Sequence, residues 1–235
     1  MTTWLDSLVE YSQGLMDDEV REALWTRGAT NAQIDSYQLG YLDNELPALK
    51  YPKDFLEWSS NGATLRNMIV LPLTTSSGEI RGLQFRNLNP AIRGYRDYIP
   101  YQEEPVFFGL AQAVSAMWET EQACVVEGAF DLFPVQRQCP GTVATLTSHV
   151  TGELARLLGR FLGTLWVFYD RDSAGFEGTQ KMLKSEYRNQ FTIQAIRIPK
   201  IPKIVGEGWI KDPAELWEAW GDERFGVFWK QSTSY

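Results

Sequence analysis

Acidic residues follow the apolar runs in the second half of this 235-residue sequence, and carboxylates in such places can hold a divalent cation. Glu127 comes directly after the run ACVV, and Asp131 lies one helical turn beyond it. Asp170 and Asp172 come directly after TLWVFY, and Asp212 lies in the loop GEGWIKDPAEL. An extended segment turns the carboxylates of Asp170 and Asp172 to one side, where they repel each other unless a cation joins them. Mg²⁺ suits such a set because it prefers oxygen ligands and substrate phosphates.

Strands that alternate with helices should position these acids. The predicted elements from residue 123 onward are strands at 123–126, 142–146, 164–169 and 191–198, and helices at 129–138, 151–163 and 173–189. Such alternation indicates a mostly parallel sheet with flanking helices. Ligands of open parallel sheets bind beyond the carboxyl ends of the strands, which is where the acids fall.

The amino-terminal part predicts a smaller α+β unit. Its predicted elements are helical structure over 1–35, in which the segment 27–42 reads as a loop followed by a short helix capped by Thr30, strands at 67–73 and 80–86 joined by a turn at 76–79, and a helix at 105–118. We therefore divide the chain near residue 120, into an α+β unit at 1–120 and an α/β unit with carboxy-terminal helices at 121–235.

Composition excludes several classes of protein. One histidine, His149, and two cysteines, Cys124 and Cys139, cannot build a structural zinc site, which needs four ligands at close spacing. No apolar run is long enough to span a bilayer, and the acidic amino terminus is unlike a signal peptide, so we expect a cytoplasmic protein without a membrane partner. The net charge of −8 argues weakly against nucleic acid, but residues 61–100 and 151–205 form two basic blocks.

Three of the acids also have a structural alternative. Asp172 and Asp212 could cap the helices that follow them, and Asp131 could cap its helix or pair with Arg137. A haloacid-dehalogenase-like phosphatase also ends an apolar strand in Asp-x-Asp, with the first Asp as nucleophile, but this leaves Glu127 unexplained.

Four segments together resemble the Toprim domain in order and spacing: CVVEGAFDLFPVQ (124–136), VATLTS (143–148), LWVFYDRDSAGFEGTQK (165–181) and KDPAEL (211–216). Toprim domains occur in bacterial-type (DnaG-like) primases, in topoisomerases of types IA and II and in some nucleases. Two amino-terminal segments favour the primases, because LWTRGATNAQIDSYQLGYL (24–42) and NMIVLPLTTSSGEIRGLQFRNL (67–88) are similar to primase motifs that precede the Toprim domain. The resemblance implies an α/β Toprim domain preceded by a smaller α+β domain.

The resemblance also implies roles for individual residues. Glu127 matches the acid that assists proton transfer or metal binding, and Asp170 with Asp172 matches the metal-binding pair, so these three are the expected catalytic residues. All five acids, with Asp131 and Asp212 included, are expected around Mg²⁺ or Mn²⁺. Arginines of the first basic block match positions near the single-stranded template: Arg86, Arg93 and Arg96.

The implied activity is that of a primase core, which makes short RNA primers on single-stranded DNA from ribonucleoside triphosphates. The zinc-binding and helicase-interacting domains of such primases have no counterpart in the 235 residues, so a replicative helicase or a separate zinc-binding protein is an expected partner. This short format suggests a phage or mobile-element protein that acts in the host cytoplasm.

A lysine that follows the hairpin in the family is missing from VFFGL (106–110). A Toprim nuclease and a non-catalytic binding module therefore stay open as alternatives.

Overall fold

The structure is a computed structural model that describes residues 3–43, 46–60, 65–89, 95–100, 107–146, 152–160, 162–204 and 206–234. By its internal contacts the chain divides into two compact units. The first comprises residues 1–25 and 30–106, and the second comprises residues 26–29 and 107–235. The sequence-based division at residue 120 stays a prediction.

The first unit combines short helices with an antiparallel sheet. Its helices are α1 (Trp4–Gly14), α2 (Asp18–Trp25), α3 (Asn31–Ser36) and α4 (Lys53–Ser60), and its strands are β1 (Gly40–Leu42), β2 (Met68–Thr74), β3 (Ile80–Asn87) and β4 (Tyr95–Tyr98). The strands pair in chain order, and each neighbouring pair is antiparallel.

Alternation along β3 places apolar and polar side chains of this strand on opposite faces of the sheet. Leu83 and Phe85 point into an apolar core that α1 and α4 complete through Leu8 and Phe55. Gln84 lies on the opposite face and donates to the Asp97 carboxylate on β4 at 2.9 Å.

The second unit is built on a parallel sheet. Its helices are α5 (Leu110–Thr120), α6 (Ala129–Gln136), α7 (Gly152–Leu158), α8 (Ser173–Leu183) and α9 (Pro213–Thr233), with a 3₁₀ turn at Glu186–Asn189. The strands are β5 (Gln122–Val126), β6 (Thr142–Ala144), β7 (Thr164–Val167) and β8 (Thr192–Ala195), in the spatial order β6-β5-β7-β8. All three strand pairs are parallel, which confirms the predicted sheet.

Apolar side chains cover both faces of the parallel sheet. Val125 and Val167 belong to a core that also takes in Leu110 of α5 and Leu158 of α7. After β7, the ring of Phe168 packs beside aromatic residues of α9: Phe225, Phe228 and Trp229. Helix α9 is interrupted at Gly221, whose φ of 68° lies outside the helical region. Burial on both faces explains why the central strands β5 and β7 lie in the apolar runs ACVV and TLWVFY of the sequence.

Several predicted element bounds were wrong. The helical stretch at 1–35 is three helices, because Asp17 accepts from Val20 N–H at 2.9 Å and Thr30 accepts from Gln33 N–H at 3.2 Å, and each bond starts a new helix. The predicted cap at Thr30 is therefore confirmed. The helix predicted at 105–118 begins only at Leu110, after Gly109 with a positive φ of 88°.

The sequence interpretation also missed some elements of the described chain, namely the short strands β1 and β4 and the helix α4. The helices that the structure describes are each too short or too polar to span a bilayer.

Candidate active site

The central strands of the parallel sheet bring the first acids to one edge. Val125 of β5 pairs with Val167 of β7, so Glu127 and Asp170 both follow the paired region at its carboxyl end. Main-chain bonds extend this register, since the N–H of Phe168 donates to the carbonyl of Val125 at 2.9 Å. Glu127 and Asp170 therefore leave adjacent strands at the same edge, as the parallel-sheet prediction requires.

Asp131 is held by main-chain donors from two places. Its Oδ2 accepts from Gly128 N–H at 3.0 Å and its Oδ1 accepts from Ala214 N–H at 3.1 Å. Burial, reinforced by the charges of Asp212 and Asp170, raises the pKa of Asp131 well above its usual value, although these two hydrogen bonds oppose the rise. Asp131 is thus a helix cap, as one alternative proposed, and not the partner of Arg137, which pairs with Asp222 at 2.9 Å.

Asp172 and Asp212 are also helix caps. Asp172 accepts from Gly175 N–H at 2.9 Å at the start of α8, and Asp212 accepts from Glu215 N–H at 2.7 Å at the start of α9. The capping alternative is therefore confirmed for both. Each caps through its Oδ1, which leaves the Oδ2 atom outside the capping bond. Their role toward a metal stays a prediction.

Burial and neighbouring carboxylates make ionisation of Glu127 and Asp170 unfavourable. Burial, with the charges of Asp212 and Glu127 next in size, raises the pKa of Asp170 from 3.8 to about 8. Burial and the charge of Asp172 raise the pKa of Glu127, whereas Lys211 lowers it. One oxygen of each group, Glu127 Oε2 and Asp170 Oδ1, is buried without a hydrogen-bond partner. A cation would satisfy both oxygens and relieve the repulsion.

Two observations suit the five acids to a divalent cation. Their donors are carboxylate oxygens, and two of these oxygens have no hydrogen-bond partner. Electrostatic repulsion links every one of them to at least one other, which places them in one neighbourhood. Within the described ranges, however, no three His, Cys, Asp or Glu side chains form a ready-made metal site. The side-chain positions of the described acids are therefore not by themselves a coordination sphere.

Lys211 is a site residue that sequence reasoning missed. Its Nζ lies 3.7 Å from Asp212 Oδ2, and its charge lowers the pKa of Glu127, Asp170 and Asp212. Its main chain is fixed on both sides, because its carbonyl accepts from Arg171 N–H and its N–H donates to Glu215 Oε2 at 3.0 Å. The only sequence signal was its place beside Asp212, which does not indicate its contact with Arg171 in the segment between β7 and α8.

Gly175 allows the close packing that positions Asp170. A Cβ atom at residue 175 would lie 2.2 Å from the Asp170 carbonyl oxygen, closer than such atoms can approach. Only glycine therefore lets the first turn of α8 pack against the backbone that carries the Asp-x-Asp pair.

The arginines predicted to bind nucleic acid lie in the first unit. Arg86 of β3 stands 5.4 Å from the centre of the Tyr95 ring, and its charge opposes the burial that raises the pKa of Asp97. Arg96 of β4 stacks 4.3 Å from the Trp58 ring and donates to the Trp58 carbonyl, so its guanidinium has a structural role within the unit. Arg93 lies outside the described residues.

Comparison with known proteins agrees with this fold. Residues 124–209 match a Toprim-like family model. The DNA primase of Halalkalibacterium halodurans is 25% identical over 233 residues, which cover 87% of this chain and 36% of the relative. The DNA primase of Listeria monocytogenes is 26% identical and covers 94% of this chain and 38% of the relative. The chain therefore spans little more than a third of the length of these two primases.

Solved structures of primase cores have a similar fold. A DNA primase domain from Pseudomonas aeruginosa superposes with a TM-score of 0.74 at 22% identity, covering 97% of this chain and 78% of that one. A DnaG primase catalytic domain bound to single-stranded DNA superposes with a TM-score of 0.71 at 20% identity, covering 97% and 77%. The predicted fold class is therefore confirmed: a Toprim fold with a parallel sheet, accompanied by an antiparallel sheet, as in DnaG catalytic cores.

Proposed function

We propose that this chain is the catalytic core of a DNA primase, a DNA-directed RNA polymerase that makes short RNA primers. The main support is that Glu127 and Asp170 leave adjacent parallel strands at one edge, each with a buried oxygen that lacks a partner. This arrangement occurs in a fold shared with primase cores and in a chain whose relatives are DNA primases.

The acids would hold the metal ions of nucleotidyl transfer. Glu127, Asp170 and Asp172 would be the principal ligands, with Asp212 and Asp131 beside them, for Mg²⁺ or Mn²⁺. When bound, the ions would neutralise triphosphate charge and favour attack by a 3′-hydroxyl. Lys211 would bind a phosphate oxygen, since its ammonium lies next to the acids and no family lysine occurs in VFFGL (106–110).

The template would be single-stranded DNA and the substrates ribonucleoside triphosphates. One structural neighbour is a primase domain bound to single-stranded DNA, which supports this choice of template. Arg86 would contact its phosphates, because it lies in the more basic part of the first unit. A helicase or zinc-binding partner, a cytoplasmic site of action and a phage or mobile-element origin stay predictions.

Primer synthesis tests the proposal directly. The full chain would be incubated with randomised single-stranded DNA, labelled ribonucleotides and Mg²⁺ or Mn²⁺, alone and with a replicative helicase. We expect short RNA that disappears in Asp170→Asn. The control Asp35→Asn changes an exposed carboxyl that pairs with Arg21 at 2.9 Å in the first unit, and it should leave synthesis unchanged.

Other outcomes identify the alternatives. Metal-dependent nicking of DNA without ribonucleotides would indicate a Toprim nuclease. Absence of RNA product in every condition, together with no binding of Mg²⁺ or Mn²⁺ at millimolar concentration, would indicate a non-catalytic module and would overturn the proposal.

A further inference from the structure

A cavity of about 290 Å³ adjoins the acidic edge on the side of the outer strand β8. Its walls come from three segments of the second unit: the stretch that follows β7, the exposed face of α8, and the stretch that follows β8. Asp170 and Asp172 line it, so a ligand held by these acids has direct access to the cavity. Its volume is near the lower end of the range for small-molecule sites.

The rim of the cavity carries a largely exposed aromatic ring. Phe176, in the second turn of α8, is 60% exposed, which is unusual for so large an apolar side chain beside charged groups. Gln180 lies four residues later on the same face of the helix and also lines the cavity. An exposed ring of this kind offers a flat platform on which a planar group can stack.

Two hydrogen-bonding side chains of the cavity are available to a ligand. In the part of the chain that the structure describes, neither the Gln180 amide nor the exposed Arg197 guanidinium has a side-chain hydrogen bond or an ion pair. The amide can donate and accept, and the guanidinium offers up to five N–H donors. A planar ligand with donors and acceptors along its edge would satisfy both groups while its face lies on Phe176.

We propose that this cavity binds the nucleobase of a nucleotide whose phosphates lie at the acidic edge. The base stacks on Phe176, and its edge accepts and donates hydrogen bonds with Gln180 and Arg197. This subsite rests on the proposed function, because the acids would repel phosphates without the metal ions of that reaction. The base of a free ribonucleoside triphosphate and the base of the 3′-terminal nucleotide of a primer would make the same contacts. The experiment distinguishes these two sources.

The test compares ligands with and without a base. Calorimetric titration with Mn²⁺ would measure binding of ATP, of inorganic tripolyphosphate and of a primer–template duplex with a recessed 3′ end. We expect Phe176→Leu to weaken ATP binding by roughly 5- to 100-fold and to leave tripolyphosphate binding unchanged. Phe176→Trp, which keeps an aromatic platform, should bind ATP as the wild type does. Trp118→Leu, a change of a 68% exposed aromatic on α5 outside the cavity, is the control.

The outcomes distinguish the two sources of the base from the absence of the subsite. Loss of ATP affinity alone supports the free nucleotide as the source of the base, and loss of duplex affinity alone supports the primer terminus. Unchanged binding of both, or equal weakening of ATP and tripolyphosphate, overturns the subsite while primer synthesis still stands. If the wild type binds neither nucleotide nor metal, the proposed function fails first and the subsite fails with it.

Discussion

The main-chain N–H of Ala214 donates to Oδ1 of Asp131 at 3.1 Å, across 83 residues of sequence. This bond ties the start of α9 to the start of α6, which Asp131 caps through Gly128. One buried carboxyl therefore sets the relative position of two segments that carry site residues, Glu127 before α6 and Asp212 before α9.

Removing this carboxyl should destabilise the second unit. We expect Asp131→Ala to lower the free energy of unfolding by about 2 kcal/mol, because two helix starts lose a cap acceptor at about 1 kcal/mol each. Urea unfolding followed by circular dichroism measures the change. Asp35→Ala, which removes an exposed ion pair with Arg21, should cost less than about 1 kcal/mol. An Asp131→Ala protein as stable as the wild type would show that these hydrogen bonds do not stabilise the second unit.

Stability of the metal-free protein should depend on pH through Asp170. Burial and neighbouring carboxylates raise its pKa from 3.8 to about 8, so the folded chain binds a proton in this interval that the unfolded chain releases. The free energy of unfolding should therefore fall as pH rises through the interval, by at most about 1.4 kcal/mol per pH unit for this one group.

Urea unfolding in a chelator at pH 5 and at pH 8.5 tests the sign. Asp170→Asn, which cannot ionise, should show a weaker decline. Added Mg²⁺ or Mn²⁺ should stabilise the wild type more at pH 8.5, where the cation competes with fewer protons. A stability that rises with pH between these values would show that Asp170 ionises easily in the fold.

A methyl group at residue 175 should displace the Asp-x-Asp pair. The Cβ of Gly175→Ala would overlap the Asp170 carbonyl oxygen, so we expect a loss of about 1–3 kcal/mol of stability and a larger loss of primer synthesis. Gly14→Ala is the matched control, because nothing lies within 4 Å of the Cβ that it adds. Wild-type synthesis by Gly175→Ala would mean that α8 can shift without moving Asp170.

The ammonium of Lys211 should contribute to phosphate binding. Lys211→Ala should weaken binding of Mn²⁺–tripolyphosphate by about tenfold, because it removes a positive charge beside the acids. Lys211→Arg keeps that charge and should retain most of the affinity. Lys53→Ala, at a lysine whose side chain is 91% exposed on α4, controls for net charge. Equal affinities of the Lys211→Ala and Lys53→Ala proteins would exclude Lys211 from the phosphate site.

Arg86 and Arg96, the two described arginines among those predicted to lie near the template, should behave differently. Arg96→Ala should destabilise the fold by about 1–2 kcal/mol, because it removes a stack on Trp58 and a hydrogen bond to its carbonyl. Arg86→Ala should instead weaken binding of single-stranded DNA and reduce the slope of log K against log salt by about 0.7. Fluorescence anisotropy over a salt series measures the slope, and an unchanged slope would remove Arg86 from the interface.

The sequence by itself determined the class of fold and the location of the acids. Fully buried strands are apolar throughout and parallel strands require helical crossovers, so runs such as TLWVFY and the helices between them predict the sheet. The carboxyl end of each run then places Glu127 and Asp170 at one edge, because that consequence depends only on local pattern and strand direction.

Only the tertiary structure decided which groups meet across long stretches of chain. The bond from Ala214 to Asp131, the approach of Lys211 to the acids and the need for glycine at residue 175 all depend on how α6, α8 and α9 pack. The break between α1 and α2 was equally hidden, since capping by Asp17 outweighs a continuous helical pattern there, whereas the short helix capped by Thr30 was predicted. Local periodicity encodes elements and their order, whereas these contacts arise from side-chain packing that no single segment specifies.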